Sequence, residues 1–280
     1  MPPTASPAFD GDRRLETRPR PRPRIIAIAN QKGGVGKTTT AINLGTALAA
    51  AQKRVLILDI DPQGNASTGF GIDVADRVPG AYELVMGEAT LGAATRPTMV
   101  PGLSIVPSVV DLSGAEVELA ALTRREYQLR AALADRVGAY DYLLIDCPPA
   151  LGLLTVNALV AADALMIPLQ CEFFALEGLS LLLRTVQRVR QHLNPTLEML
   201  GVVLTMYDKR NNLSAQVAED VRAFLGDKVY ETVIPRNVRV SEAPSHGRPV
   251  LLYDMKCAGA QAYIHLASEV LRREGAASAT

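Results

Sequence analysis

The sequence predicts a three-layer α/β fold, with a mostly parallel central sheet and helices on both faces. Three observations predict it. Short, near-continuous apolar runs recur from residue 24 onward, as strands buried on both faces must read. Stretches with helical spacing separate these runs, so each strand leads into a crossover rather than a hairpin. The first run, a glycine-rich turn, a helical stretch and a second run stand in that order, which is a βαβ unit.

The first strand is RIIAIA (24–29). TTTAINLGTALAAA (38–51) follows, with Ile42, Leu44, Leu48 and Ala49 forming one helical stripe. RVLILDID (54–61) is the second strand. LSIVPS (103–108), DYLLIDCPP (141–149), ALMIPLQ (164–170), MLGVVLTMY (199–207) and YETVIP (230–235) supply the others. The clearest helices are 175–193, 214–225 and 259–273. No internal repeat and no Pro/Gly/Ser linker interrupts 24–274, which reads as one domain, with 275–280 as a disordered end. Residues 1–23 stand apart. RRLETRPRPRPR (13–24) holds six arginines and three prolines and has little to bury. It reads as a disordered tail, or as a basic arm that touches DNA or acidic lipid.

Composition excludes several classes. Lys+Arg and Asp+Glu are both 29, so a polyanionic partner would need a local patch rather than net charge. Cys147, Cys171 and Cys257 lack CxxC spacing, which argues against a disulfide framework or zinc site and fits a reducing cytosol. No uncharged apolar run reaches membrane-spanning length, and the N-terminus lacks the apolar core of a secretory signal.

NQKGGVGKTTT (30–40) carries the first chemistry. Backbone amides wrap a polyphosphate only where the chain turns back with few side chains in the way, as Gly33, Gly34 and Gly36 permit. The helix that follows points its free N–H groups and positive dipole end at the same anion. Lys37 adds a charge for the β- and γ-phosphates, and Thr38 offers a hydroxyl to Mg²⁺. Lys32, five residues earlier, is either a solvated loop charge or a second phosphate ligand.

Carboxylates follow at strand ends, where ligands of parallel sheets bind. DIDPQGN (59–65) presents Asp59 and Asp61, expected to face the loop, to hold Mg²⁺ waters or direct an attacking water. Asp, Pro, Gly and Asn also favour a plain turn there. YLLIDCPP (142–149) looks like a Walker B strand that delivers Asp146 to the metal, with Cys147 as a small buried neighbour.

The form K-G-G-x-G-K-[ST], here Lys32–Thr38, resembles the deviant Walker A motif of the ParA/MinD family of P-loop ATPases. The resemblance covers nearly all of 24–274. TMYDKRNNLS (205–214), VIPRNVRVSEAPSHGRPV (233–250) and PLQCEFFALEGL (168–179) match segments of chromosomal ParA/Soj proteins. It implies a P-loop NTPase fold and ATP bound by Lys32, Gly33, Gly34, Val35, Gly36, Lys37, Thr38 and Thr39. Adenine contacts fall on Pro235 and Asn237, with Met206 packed on the base. Mg²⁺ falls to Thr38 and Asp146, with Asp59 nearer the second shell. Lys32, Lys37 and Asp61 take the catalytic roles, Asp61 positioning water. Lys32 reaches across a face-to-face homodimer to the partner's ATP.

The resemblance also implies sequence-independent binding of duplex DNA, through Lys209, Arg210, Arg239 and Arg248. It implies slow hydrolysis accelerated by a ParB-type centromere-binding protein, and a cytoplasmic, nucleoid-associated location without membrane contact. The cargo is a chromosome or, alternatively, a plasmid or other body. A MinD-like membrane ATPase would need a terminal amphipathic helix with an exposed apolar face, whereas 261–280 fades into small residues. A metabolic P-loop synthetase would need neither Lys32 nor the basic segments in 205–250.

Overall fold

The computed structural model describes residues 22–134 and 137–277. Only Arg22 and Pro23 of the arginine- and proline-rich stretch before the first strand lie within them.

β1 (Arg24–Ile28) leads through the glycine loop into α1 (Lys37–Ala50), and β2 (Val55–Asp59) completes the first crossover. α2 (Asn65–Gly69), α3 (Ala81–Met86) and α4 (Leu91–Ala94) precede β3 (Arg96–Pro97) and β4 (Leu103–Val106). α5 (Leu112–Ala121) and α6 (Gln128–Ala132) lead to β5 (Tyr142–Asp146). Next come α7 (Leu153–Ala161), β6 (Ala164–Gln170), α8 (Ala175–His192) and β7 (Glu198–Thr205). The remaining helices are α9 (Asn212–Leu225), α10 (Val238–Glu242), α11 (Val250–Tyr253) and α12 (Ala258–Ala277).

The strand order is β3-β4-β2-β5-β1-β6-β7, parallel except for the β3–β4 pair. Every residue of β2 and β5 is buried, which is why these strands show no polar alternation in sequence. Alternate residues divide between two cores. Ile25, Ala27, Leu143 and Ile145 pack toward α3, α5, α7 and α8, while Ile26, Ile28, Leu144 and Met166 pack toward α1 and α12.

Topology places the site. The chain leaves β1 toward β2 on one side, and leaves β5 toward β6 on the other. Their following helices, α1 and α7, lie on opposite faces. A crevice therefore opens beyond the carboxyl ends of β1 and β5, the position where open parallel sheets bind ligands. Register brings Ile28 level with Asp146, and Asp146 level with Asp59.

Three elements differ from expectation. The two-residue β3 carries Pro97 and too little pattern to read. α12 continues to Ala277, so 275–277 are helical where disorder was expected. YETVIP (230–235) is not a strand of the sheet. Tyr230 N donates to Val202 O (2.9 Å) and Ile234 N to Leu204 O (2.8 Å), but between them the chain leaves β7. There, Glu231 N and Thr232 N donate to the Glu269 carboxylate of α12 at 2.9 and 3.0 Å.

Arg273 closes this arrangement with a 2.7 Å bond to Glu269, and its guanidinium lies 4.3 Å from the centre of the Tyr230 ring. Burial pushes the Glu269 carboxyl up, but the two amides and Arg273 outweigh it and hold it below the usual glutamate value. Its contribution is therefore present at neutral pH and is lost as acid protonates the folded-state carboxyl. Glu269→Ala leaves two amides without their acceptor and takes the carboxylate from Arg273, which keeps the Asp227 and Val229 carbonyls, and we expect a loss of about 1–3 kcal/mol in urea unfolding at pH 7. That loss should shrink as the pH is lowered.

Candidate nucleotide site

The glycine loop turns on two left-handed residues, Gly34 (φ 73°) and Gly36 (φ 88°). Gly36 is also the N-cap of α1, and no side chain caps that helix. Its first N–H groups are thus left for an external acceptor. Thr205, at the end of β7, donates its hydroxyl to Val35 O at 2.8 Å, so Val35 shapes the loop through its carbonyl. Asn30 Nδ2 donates to Pro168 O at 2.8 Å and Asn30 Oδ1 accepts from Lys32 N at 3.1 Å, which ties the loop's start to β6.

The loop faces a cavity of about 480 Å³ lined by Gly33, Gly34, Gly36, Lys37, Thr38 and Thr39. Opposite stand Asp61, Gln63, Asn65 and Thr68, with Pro149, Met206, Pro244 and Ser245. Lys37 Nζ reaches back to Lys32 O at 3.0 Å, the position of a cation waiting for phosphate oxygens. Burial lowers the pKa of this ammonium, and Asp146 and Asp61 act against that shift. Lys32 does not line the cavity. Its ammonium lies at the rim, paired with Glu172.

The three acidic residues separate into different environments. Asp61 is on the cavity wall, with Oδ1 accepting from Gln63 N at 3.0 Å. Asp59, expected to face the loop near the metal, turns inward instead. Its Oδ2 accepts from Ser67 N (2.9 Å) and Ser67 Oγ (2.7 Å), and its Oδ1 from Asp61 N (3.3 Å), so it pins α2 rather than presenting free oxygens. Asp146 is fully buried, and neither oxygen has a partner within hydrogen-bond geometry, although the Thr38 hydroxyl is close enough to favour its ionised form. Burial raises the pKa of both Asp59 and Asp146; the nearby charge of Asp61 adds to both shifts, and that of Asp59 adds to the shift of Asp146.

An unpartnered buried carboxylate beside a helix-start threonine fits a hydrated Mg²⁺ ion. The described residues contain no cluster of three or more His, Cys, Asp or Glu that would hold a metal unaided, so such an ion would share its ligands with phosphate and water. Cys147 is buried and burial raises its thiol pKa, so it is no nucleophile.

Behind Asp61, the guanidinium of Arg77 is 7 % exposed and has no acidic partner among the described residues. It donates to Ile72 O (3.1 and 2.9 Å), Gly64 O (3.3 Å), Ser108 O (3.3 Å) and Thr68 Oγ1 (2.9 Å). Ser67 Oγ in turn accepts from Ser108 N at 3.0 Å. These bonds fasten the segment that carries Asp61, Gln63, Asn65 and Thr68 to the end of β4. No local pattern marks Arg77, since a lone arginine in DVADRVPG reads as solvated.

Met206 sits beneath the loop in a left-handed conformation (φ 48°) uncommon for a non-glycine residue, and a Cβ on Gly36 would meet its Cε at 3.9 Å. Pro235 and Asn237 line a neighbouring cavity of about 960 Å³ rather than the loop's own. A bridge between Tyr207 and Pro235 joins the two regions. Asn237 Oδ1 already caps α10, accepting from Arg239 N (2.9 Å) and Val240 N (3.4 Å), which leaves only its amide NH₂ for a ligand.

The expected basic residues are exposed, but two carry acidic partners. Arg210, 89 % exposed, forms a two-pronged bond with Asp208 and holds that carboxyl down to about 2. Arg239 pairs with Glu242 (3.0 Å) and Asp254 (3.6 Å). Lys209 and Arg248 are exposed and have no ion-pair partner among the described residues.

A family profile described as an AAA domain matches residues 23–199. The chromosome partitioning protein ParA of Caulobacter vibrioides is 66 % identical over 252 residues, covering 89 % of this chain and 94 % of that protein. The sporulation initiation inhibitor protein Soj of Bacillus subtilis is 55 % identical, covering 88 % and 97 %. Among solved structures, a cobyrinic acid a,c-diamide synthase from Mycobacterium smegmatis with bound ATP analogue and magnesium superposes with a TM-score of 0.79 at 38 % identity, covering 90 % of this chain and 96 % of that one. With a deviant phosphate loop on a parallel sheet and this identity along almost the whole domain, the chain belongs to the ParA/Soj family of chromosome-partitioning ATPases.

Proposed function

We propose that this chain is an ATP-driven DNA-segregation switch: two ATP-loaded subunits pair face to face, hold duplex DNA without sequence preference, and separate after hydrolysis. The observation that carries this reading is the separation of the two loop lysines. Lys37 lies inside the cavity, where it meets its own subunit's phosphates, while Lys32 lies outside it on the rim. A cation so placed serves a phosphate that comes from elsewhere.

The residues divide the work. The amides of 33–39 and the Lys37 ammonium hold the triphosphate. Thr38 and Asp146 are placed to hold Mg²⁺, which when bound neutralises charge on the terminal phosphates. Asp61 orients the attacking water from the opposite wall. Met206 supports the nucleotide from below, and Pro235 with the Asn237 amide receives the base where the neighbouring cavity joins the loop. Intrinsic turnover is slow, and a ParB-type centromere-binding protein accelerates it. The protein works in the cytoplasm on the nucleoid.

DNA binding follows from phosphate contacts at Lys209, Arg210, Arg239 and Arg248. Arg210 and Arg239 must exchange their carboxylates for DNA phosphates. One subunit's patch is weak, and pairing turns the second patch into an intramolecular contact worth about 10²–10⁴ in avidity. If the dimer neutralises about five phosphates, log affinity falls with log salt at a slope near −4.5.

Co-sedimentation with arbitrary duplex DNA under ATP, ADP and no nucleotide, at two salt concentrations, tests this reading. Retention only with ATP, lost at high salt, is expected. Nucleotide-independent retention, or none, would refute it and favour a metabolic reading such as the mycobacterial neighbour's name describes. Arg210→Glu should abolish retention while leaving pairing intact on a sizing column. Retention at wild-type level would place the DNA surface elsewhere.

A further inference from the structure

The rim lysine is not idle in the isolated subunit. Its ammonium pairs with Glu172 Oε2, and the other carboxylate oxygen, Oε1, accepts from Gln170 Nε2 at the end of β6. Both carboxylate oxygens are therefore held, and Glu172 N is fixed to Gln170 O at 2.9 Å. The lysine's backbone is fixed separately, through Asn30 and Lys37. Only its side chain is free to change partner without disturbing the phosphate loop.

The pair is half-exposed, with Lys32 at 41 % and Glu172 at 45 %. Solvent-exposed ion pairs are weak, and a triphosphate offers the ammonium more charge than one carboxylate does. Directly after Glu172, Phe173 and Phe174 stack edge to face (centroids 5.1 Å apart) and are 74 % and 65 % exposed. The segment carrying the carboxylate thus also presents bare aromatic surface on the face that a second copy of this chain would cover.

We propose that Glu172 is a positioning residue for Lys32: it parks the ammonium on its own subunit and yields it only to the triphosphate of a second copy, so that breaking this pair sets the threshold for pairing of subunits. The proposal rests on the face-to-face dimer read above. In the free subunit the pair prevents a bare cation from seeking other anions. In the dimer, Glu172 is left to Gln170 alone. Each pairing event breaks two such contacts, one per subunit, and the nucleotide must supply the difference.

The test measures the dimer dissociation constant by analytical ultracentrifugation with a non-hydrolysable ATP analogue and Mg²⁺, for wild type, Glu172→Gln and Glu177→Gln. Glu177 is an exposed acid on α8 with no lysine partner among the described residues, so its variant removes the same charge without the contact. Glu172→Gln should pair more tightly, by up to about five-fold for each of the two lysines released, while Glu177→Gln matches wild type. Stopped-flow association should quicken for Glu172→Gln alone. Equal or weaker pairing by Glu172→Gln, or equal tightening by Glu177→Gln, would overturn the proposal. Wild type that stays a single subunit with the analogue would instead defeat the dimer reading beneath it.

Discussion

Replacing Asp61 with alanine should leave a protein that still loads ATP and pairs, yet turns over at least about a hundred-fold more slowly. Asp61 lies on the cavity wall, 6 % exposed, with Oδ1 engaged by Gln63 N. On the proposed role, the alanine variant removes the acceptor for the attacking water but leaves the loop, Lys37 and Asp146 as they were. Neighbouring Asp59 cannot substitute, because both its oxygens are committed to Ser67 and the Asp61 amide. Single-turnover phosphate release gives the rate, and a sizing column gives the pairing. The variant should persist as an ATP-bound dimer retained on DNA. Wild-type release of phosphate would mean that another group directs the water.

Lys32→Ala should lose pairing altogether in the working concentration range. Two lysine–phosphate contacts disappear per dimer, each a charge-assisted bond of about 1.5–3 kcal/mol, which weakens association about 10²–10⁴-fold. Nucleotide loading of the single subunit should survive, since the Lys32 side chain lies outside the cavity and its backbone bonds do not depend on it. Fluorescent-nucleotide titration and sedimentation separate the two effects. A variant that pairs normally would end the trans role of this lysine.

Much of this was legible in the residues. Apolar runs without alternation gave the parallel sheet, since only strands covered on both faces read that way. The phosphate loop was equally plain, because wrapping an anion in backbone amides restricts the residues as strongly as any fold does. What escaped the sequence was decided by distant partners. Their place at a strand's carboxyl end predicts that Asp59 and Asp61 both face the loop, but Asp59 is the last residue of β2 and is claimed by Ser67, eight residues on. Residues 230–235 have a strand's composition, yet the Glu269 carboxylate on α12, 38 residues from Glu231, takes the amides of 231 and 232. Glu172 is 140 residues from Lys32 and no local pattern joins them. Asn237, expected to contact adenine, has its Oδ1 committed to capping a five-residue helix.

Among the described residues the Arg77 guanidinium is held by carbonyl and hydroxyl dipoles, with no carboxylate whose protonation could unfasten it. Its hold on Gly64, Thr68 and Ser108 should therefore outlast in acid the Asp59 carboxylate, which grips Ser67 of the same wall and whose pKa burial raises. Acid should thus loosen this wall where it meets β2 before it loosens where it meets β4.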